Sequence, residues 1–318
     1  MELVEVHKLS IGRPRRRTLV VVGAATRDID ARSPAGWSLG GGVTFGALAA
    51  ARLGLRVRAL VGVDDEAATA PELELLRAEG VELRLARLRR GPVMENRELP
   101  RGRRQLVSQA SDRLLLSDLP ADWQAPDGAL LAPIANELGA DWSRAFDDRV
   151  LVALAWQGLF RRLAPGRPMV HLPLRRRALI ERADVGLVSA DDAVAGGERL
   201  SRLVSRDGQQ LVISHAERGG LHVERRAGGF RLRLLPAVPA QAVVDSTGAG
   251  DVFLATWFGG LLAAPELADA GAGWRALGLA ATAASVSVEA ARLDGPPALR
   301  AICERLLRQP PGEVDGGA

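Results

Sequence analysis

Short apolar runs alternate with longer amphipathic segments along most of the chain. The apolar runs predict strands at residues 18–23, 56–63, 129–133, 150–154, 184–188 and 210–214. Segments with helical spacing predict helices at residues 43–53, 66–79, 191–205, 252–262, 272–289 and 298–307. Two extended runs, 221–225 and 230–234, flank Gly228-Gly229 and predict a hairpin. This alternation is typical of an α/β fold in which crossover helices cover a mostly parallel sheet.

One region interrupts the alternation. From residue 81 to residue 116 the chain consists of short extended pieces, separated by turn residues at Gly91-Pro92, Pro100 and Gly102. Apolar and charged side chains alternate there, which predicts half-exposed strands. No shift in composition marks a second domain. We therefore expect one domain over residues 1–318, with a small β lid formed by residues 81–116 and part of 31–39.

Composition excludes several classes of protein. Of the 318 residues 47% are hydrophobic, which suffices for a substantial core. No apolar run is long enough to span a bilayer, and no signal peptide is evident, so we expect a cytoplasmic protein without a membrane partner. Cys303 is the only cysteine and the four histidines are scattered, which excludes an internal disulfide and makes a zinc site very unfavourable.

Charge adds little evidence for a macromolecular partner. The formal net charge is +4, and the arginines occur in short groups with no aromatic residues between them. A nucleic-acid platform would combine basic and aromatic side chains, so we expect no nucleic-acid binding. Lys8 is the only lysine. A P-loop with its Walker lysine is therefore absent.

The most informative string is Asp245-Ser246-Thr247-Gly248-Ala249-Gly250-Asp251, between an extended apolar segment (242–244) and the predicted helix at 252–262. Such a turn lets backbone N–H groups converge on an anion at a helix N-terminus, beside a carboxylate that can act as a general base. The same residues are also ordinary turn chemistry, because an aspartate in a first helical turn complements the helix dipole.

This string resembles the C-terminal signature of the ribokinase/PfkB carbohydrate kinase family, Asp-Thr-(Thr/Xaa)-Gly-Ala-Gly-Asp, with Ser246 as a mild variant. The resemblance implies that Asp251 is the catalytic base. It implies that the backbone N–H groups of Gly248, Ala249 and Gly250 hold the transferring phosphoryl group, and that Gly248 also belongs to the nucleotide site. It further implies a monovalent cation such as K⁺ near Asp245.

Residues 40–54 resemble the N-terminal signature of the same family: a glycine pair, an alanine-rich helix and an Ala-Arg-Leu-Gly ending. The resemblance implies that the Gly40-Gly41 backbone and Asp28 bind substrate hydroxyls. Asp30 competes with Asp28 for that role, and a loop carboxylate or cap is the alternative. Phe45 stands where many sugar kinases have asparagine, which is similar to branches that act on other polyols, including inositol kinases.

The donor side has two further matches. Ser189-Ala190-Asp191-Asp192 occupies the place of the family's Asn-Xaa-Xaa-Glu motif, which implies that Ser189 lies at the nucleotide and that Asp192 helps to hold Mg²⁺ through water. Ser189 is also a good helix N-cap, and the two roles are compatible. Ser214 and Gly219 begin and end a segment similar to the nucleotide loop Thr-Xaa-Gly-Xaa-Xaa-Gly, in which Ala216 replaces a glycine. Glu137 resembles a family position near the substrate.

The resemblance implies a three-layer α/β/α fold with a β lid. It implies ATP- and Mg²⁺-dependent phosphorylation of a hydroxyl on a small polyol, either a sugar or an inositol. Two alternatives stay open: a nucleoside or sugar-phosphate kinase, for which Arg97, Arg103 and Arg104 would supply a cationic lid, and a non-catalytic ligand-binding member of the fold. A homodimer through an exposed lid edge is also compatible with the sequence.

Overall fold

The computed structural model describes residues 16–99, 102–175, 177–193, 199–263 and 270–308, and most of these lie in strands and helices. The strands are β1 (Thr18–Ala24), β2 (Thr26–Ile29), β3 (Trp37–Gly40), β4 (Arg56–Val63), β5 (Glu82–Arg87), β6 (Val93–Leu99), β7 (Gly102–Gln109), β8 (Gly128–Leu131), β9 (Leu151–Ala155), β10 (Arg161–Arg162), β11 (Arg167–Pro168), β12 (Val170–His171), β13 (Val185–Ser189), β14 (Gln210–Ser214), β15 (Gly220–Arg226) and β16 (Gly229–Leu235). The α-helices are α1 (Gly42–Arg52), α2 (Glu72–Ala78), α3 (Ala178–Arg182), α4 (Ala190–Ala193), α5 (Leu200–Leu203), α6 (Ala249–Ala263), α7 (Ala270–Ser287) and α8 (Leu299–Arg308).

A nine-stranded sheet organises the molecule, in the order β16-β15-β14-β13-β9-β8-β1-β4-β5. Neighbours are parallel from β14 to β5, and the hairpin β15–β16 adds two antiparallel strands at one edge. Successive residues of β1 point to opposite faces: Leu19 and Val21 pack with α1 and α6, whereas Val20 and Val22 join the apolar cluster on the other face. The predicted three-layer α/β fold is confirmed.

A second sheet of five strands, in the order β11-β7-β6-β2-β3, lies apart from the central sheet. Its strands come from the predicted lid (β6, β7 and β3, which overlaps residues 31–39) and also from the segments after β1 and before β13 (β2 and β11). One strand of the predicted lid lies elsewhere, because β5 pairs in parallel with β4 at the edge of the central sheet. An edge strand has one half-exposed face, so its alternating pattern is the same as that of a lid strand.

Two predicted helices differ from the structure. The predicted helix at 66–79 consists of a 3-10 turn at Ala67–Thr69 and helix α2, separated at Pro71, which stands immediately before α2. Proline has no N–H to donate, so it favours a helix start over a helix interior. The predicted helix at 191–205 is described only as α4 and α5, because residues 194–198 lie outside the described part. Among the described residues, no helix combines the length and apolarity needed to cross a membrane.

Candidate active site

Helix α6 begins where the chain makes a tight turn at Gly248. Gly248 has φ +80°, and a Cβ at this position would lie 2.3 Å from Phe45 Cδ1, so both the backbone angle and the space require glycine. The first intrahelical bond runs from Val252 N to Gly248 O at 2.9 Å. Of the N–H groups at the start of this 15-residue helix, that of Ala249 donates to Ser246 O at 3.3 Å. A helix start is nevertheless the position where backbone N–H groups can bind an anion.

Asp251 lies in the first turn of α6 and faces the start of α1. A Cβ on Gly42 would lie 2.6 Å from Asp251 Oδ1, so the carboxylate packs directly on the Gly42 backbone. Burial raises the pKa of Asp251 to about 6, and the positive charge of Arg161 opposes that rise. A carboxylate with this pKa is mostly ionised at neutral pH and still has appreciable proton affinity, which suits a general base.

Asp28 lies on the other side of the same glycine run. A Cβ on Gly40 would lie 2.5 Å from Asp28 Oδ2, and Gly41 between them has φ +100°. The three consecutive glycines of the β3–α1 turn therefore separate two carboxylates, Asp28 and Asp251. The turn presents bare backbone between them, where a small hydroxylated molecule can approach closely.

Arg292 is the partner of Asp28, with Nη2 donating to Oδ2 at 2.7 Å. Asp28 is only 4% exposed, so this is a buried ion pair. Arg292 has φ +51°, which is rare for a residue with a side chain, and its buried Nε has no hydrogen-bond partner among the described residues. Strain and an unsatisfied donor in one residue often mark a functional position.

Asp192 is fully buried and its carboxylate is surrounded by donors. Arg161 donates through Nε to Oδ1 at 3.0 Å and through Nη2 to Oδ2 at 2.9 Å. His171 Nδ1 lies 2.8 Å from Oδ1, and Ser189 Oγ donates to Oδ2 at 2.6 Å. The ion pair with Arg161 and these hydrogen bonds hold the pKa of Asp192 below its usual value in spite of burial. Asp192 is therefore a carboxylate engaged by protein groups.

One family model matches about a third of the chain. Residues 185–296 match the model of the pfkB family carbohydrate kinase. No curated protein matches the sequence.

Similar solved structures cover nearly the whole chain. A pyrophosphate-dependent kinase in the ribokinase family, complexed with a pyrophosphate analog and myo-inositol, is 19% identical with a TM-score of 0.63, over 83% of this chain and 94% of that one. The nucleoside kinase of Methanocaldococcus jannaschii is 15% identical with a TM-score of 0.66, over 92% and 99%. Ribokinase of Arabidopsis thaliana, complexed with ribose and ATP, is 16% identical with a TM-score of 0.60, over 92% and 100%.

The chain has the ribokinase-like fold. The resemblance inferred from the two glycine motifs is thereby confirmed. The family match includes Ser189, Asp192, Ser214, Gly219 and the string that ends at Asp251. At such low identities the solved structures establish the fold, and the role of each site residue stays a prediction.

In this ribokinase-like fold the implied Mg²⁺ position does not fit Asp192. A carboxylate has about four acceptor positions, and the two nitrogens of Arg161, His171 Nδ1 and Ser189 Oγ make four contacts with it. No capacity is left for a metal-bound water. Among the described residues, no group of three or more histidine, cysteine, aspartate or glutamate side chains has the arrangement of a metal site.

Two of the predicted substrate-binding residues are buried in the ribokinase-like core. Glu137 is 1% exposed, and its carboxylate accepts hydrogen bonds from the backbone of Ile134, Ala135 and Ala24 at 2.7–3.3 Å. Burial raises the pKa of Glu137, and these hydrogen bonds oppose the rise. Phe45 is also 1% exposed and packs on Gly248. Both side chains therefore contact the protein backbone next to the site. Their direct contact with a substrate stays a prediction.

The predicted nucleotide loop forms a narrow turn after β14. Ser189 and Ser214 are neighbours in the register of β13 and β14, so both hydroxyl residues lie at the same edge of the sheet. His215 N donates to Gly219 O at 2.7 Å, which closes the loop. Ala216 has φ +44°, the left-handed angle that glycine adopts without strain, and a Cβ on Gly219 would lie 2.1 Å from Leu235 O.

The segment before Gly248 is a loop and not a strand. Val243 is 73% exposed, and Val244 N and Asp245 N donate to Val288 O at 2.7 and 3.2 Å. Asp245 Oδ1 accepts from Thr247 N at 2.9 Å. Asp245 thus organises the turn that precedes α6, and its relation to a monovalent cation stays a prediction.

The sequence did not point to Arg161, His171 or Arg292. Arg161 lies in β10, in the segment that comes after β9 in the chain, and the carboxyl ends of parallel strands are where α/β proteins build their sites, so its position was a usable signal. His171 and Arg292 gave no such signal, since their roles depend on contacts with residues far away in the chain.

Proposed function

We propose that the protein is a kinase that transfers a phosphoryl group from ATP to a hydroxyl of a small polyol, a sugar or an inositol. One observation carries the proposal. Asp251, whose pKa is raised to about 6, lies in the first turn of α6 and faces the glycine turn that also contacts Asp28. A base, an anion-binding helix start and a carboxylate for substrate hydroxyls thus border one turn.

In the proposed reaction the acceptor hydroxyl attacks the terminal phosphorus of the donor. The new bond joins the acceptor oxygen to phosphorus, the bond from phosphorus to the bridging oxygen breaks, and ADP leaves with that electron pair. Asp251 accepts the hydroxyl proton. The N–H groups of residues 248–250 stabilise the charge on the transferring group.

The test is ADP release in the presence of a panel of sugars, inositols and nucleosides. Asp251→Asn should lower kcat by about a hundredfold or more while the protein still binds ATP. Asp65→Asn is the matched control, because the Asp65 side chain is fully exposed. Near-normal turnover by Asp251→Asn would exclude Asp251 as the base.

A second candidate differs only in the phosphoryl donor, which would be pyrophosphate with phosphate as the leaving group. One observation favours it: in the predicted nucleotide loop at 215–219, Ala216 has φ +44°, a strained angle for a residue with a side chain. One of the similar structures is a pyrophosphate-dependent kinase. Phosphorylation of the same acceptor with pyrophosphate but not ATP would select this donor.

The remaining alternatives are outcomes of the same assay. Turnover confined to nucleosides or sugar phosphates would indicate those substrate classes; the side chains of Arg97, Arg103 and Arg104 lie outside the described part. Donor binding without transfer to any acceptor would indicate a non-catalytic member of the fold. The K⁺ requirement, a homodimer and a cytoplasmic location stay predictions.

A further inference from the structure

Arg161 is held rigidly at the edge of the sheet where the proposed donor binds. It lies in β10, and it forms two parallel hydrogen bonds with Asp192, just after β13, at 3.0 and 2.9 Å. Such a paired contact fixes both the position and the plane of a guanidinium. No described residue accepts a hydrogen bond from its Nη1, and the side chain is 20% exposed.

The start of α6 lies over the same strand. The Cβ direction of Gly250 points to Leu187 Cδ2 of β13 at 3.7 Å, two residues before Ser189. The start of α6 thus packs on β13, and Arg161 pairs with Asp192, which lies just after the end of the same strand. The positive charge of Arg161 also lowers the pKa of Asp251 against the effect of burial.

We propose that Arg161 binds the phosphate chain of the donor and stabilises the transferring phosphoryl group, and that Asp192 and His171 are positioning residues for Arg161 and hold no metal ion. The inference rests on the proposed function. Its chemical basis is the absence of lysine from residues 9–318, which leaves arginine as the only permanent cation for this role.

His171 and Ser189 complete the arrangement. With Arg161 alone, one buried carboxylate would still have unused acceptor positions, and these would compete for water or metal. His171 Nδ1 at 2.8 Å and Ser189 Oγ at 2.6 Å occupy them. A carboxylate saturated in this way keeps its arginine in place and cannot at the same time bind a cation.

The first experiment measures binding without turnover. Pyrophosphate and ATP are titrated separately into the full-length protein by calorimetry, with no acceptor present. Arg161→Met should weaken the binding of whichever probe the wild type binds by about tenfold to a hundredfold, because a charge-assisted hydrogen bond is lost. The affinity of Arg161→Lys should lie between those of the wild type and Arg161→Met, since lysine keeps the charge but cannot form two parallel hydrogen bonds. The adjacent, exposed Arg162→Met is the control and should bind like the wild type.

The second experiment separates positioning from metal binding. Asp192→Asn is titrated with the same probe in EDTA and in Mg²⁺. If Asp192 is a positioning residue, the variant should bind the probe more weakly by a similar factor in both conditions. If Asp192 is a metal ligand, the affinity should fall only in Mg²⁺. The second pattern would overturn the inference, as would normal binding by Arg161→Met or failure of the wild type to bind either probe.

A double variant guards against loss of folding. Arg161→Met alone leaves Asp192 buried without its cation, and Arg161→Met/Asp192→Asn removes both charges. The double variant should recover thermal stability but not probe affinity. Recovery of affinity together with stability would show that Arg161 acts only through folding. Asp251→Asn tests the proposed function independently, because that variant should keep the binding of the probe and lose transfer.

Discussion

At the scale of single residues, two carboxylates at the candidate site have opposite surroundings. Asp192 is fully buried but engaged by Arg161, His171 and Ser189, which keep its pKa low. Asp251 faces the Gly42 backbone, and burial raises its pKa to about 6. An environment that favours the charged form suits a positioning group, and one that leaves the proton affinity high suits a base.

The first prediction concerns the pH dependence of transfer. Because a base must be ionised, kcat should rise as pH increases through about 6 and then level off. The measurement is initial rate under donor and acceptor saturation. Arg161→Lys serves as the comparison, since it keeps the nearby charge and should keep the inflection close to the wild-type value. A rate that is level from about pH 5 to 8 would contradict the assignment of Asp251 as the base.

The second prediction concerns stability and uses the same substitution at both carboxylates. The pKa of Asp251 is higher in the folded than in the unfolded protein, so its contribution to the free energy of unfolding falls as pH rises from about 4 to 6. Asp251→Asn should therefore stabilise the protein at neutral pH, by at most about 3 kcal/mol. The pKa of Asp192 is lower in the folded protein, so its carboxylate stabilises the protein at pH values above the pKa of the unfolded state. Asp192→Asn should therefore destabilise the protein at neutral pH by about 2 kcal/mol or more.

Urea unfolding of both variants checks these signs. The difference between Asp251→Asn and wild type should disappear near pH 4, where the wild-type carboxyl is protonated in the folded state. The two substitutions change the same atoms, so each controls for the other. Destabilisation by Asp251→Asn at neutral pH would mean that its carboxylate makes favourable contacts absent from the described structure.

At the scale of elements, the turn between β3 and α1 joins the two ends of the site. Gly42 lets the start of α1 approach the first turn of α6, where a Cβ would lie 2.6 Å from Asp251 Oδ1 and 3.1 Å from Ala132 Cβ. The small residues of the turn thus set the position of the Asp251 carboxylate. Neighbouring Gly40 does the same for Asp28.

The third prediction is that Gly42→Ala lowers kcat by at least about tenfold, since displacement of a catalytic group by less than 1 Å has effects of this size. The Cβ would displace the Asp251 carboxylate while the buried sheet is unchanged. Gly278→Ala in α7 is the control: no atom lies within 4 Å of its added Cβ, and alanine in a helix is favourable by about 0.5–1 kcal/mol. Activity assays combined with thermal unfolding distinguish a local effect at Asp251 from a general loss of stability. Equal losses in both variants would contradict a local effect at Gly42.

An element could be predicted from the sequence where the residues that define it are close together in the chain. The turn at Gly248 and the position of Asp251 at the start of a helix were predicted, because the glycines and the aspartate lie within one short string. The position of β5 was not, since its half-exposed pattern suits a lid strand and an edge strand equally well. The position of Arg161 after a predicted strand was a usable signal, but its pairing with Asp192 was not predictable, because it joins residues 31 positions apart in β10 and α4.

At the scale of the whole molecule, ion pairs and hydrogen bonds connect the five-stranded sheet to the central layers. Arg27 of β2 pairs with Asp64 after β4 at 2.8 Å, and Leu39 N of β3 donates to Glu72 of α2 at 2.9 Å. Arg27 also pairs with Glu66, and Gln109 of β7 donates to Asp64 at 3.3 Å. A further ion pair joins Asp28 to Arg292, across 264 positions of the chain, between β2 and the segment after α7. Of these contacts, only the last engages a predicted substrate residue.

The fourth prediction follows from that connection. Arg292→Met leaves Asp28, which is 4% exposed, without its cation, so the carboxylate loses its fixed position on Gly40. The KM for the acceptor should rise by about tenfold, the size of one charge-assisted hydrogen bond, while kcat and the KM for the donor change by less than about twofold. Arg292→Lys should restore part of the acceptor affinity. Arg300→Met, in which a 90% exposed arginine of α8 is removed, should behave like the wild type. If Arg292→Met instead raised the donor KM or lowered kcat with an unchanged acceptor KM, the segment after α7 would serve the donor end of the site and Asp28 would have no special relation to the acceptor.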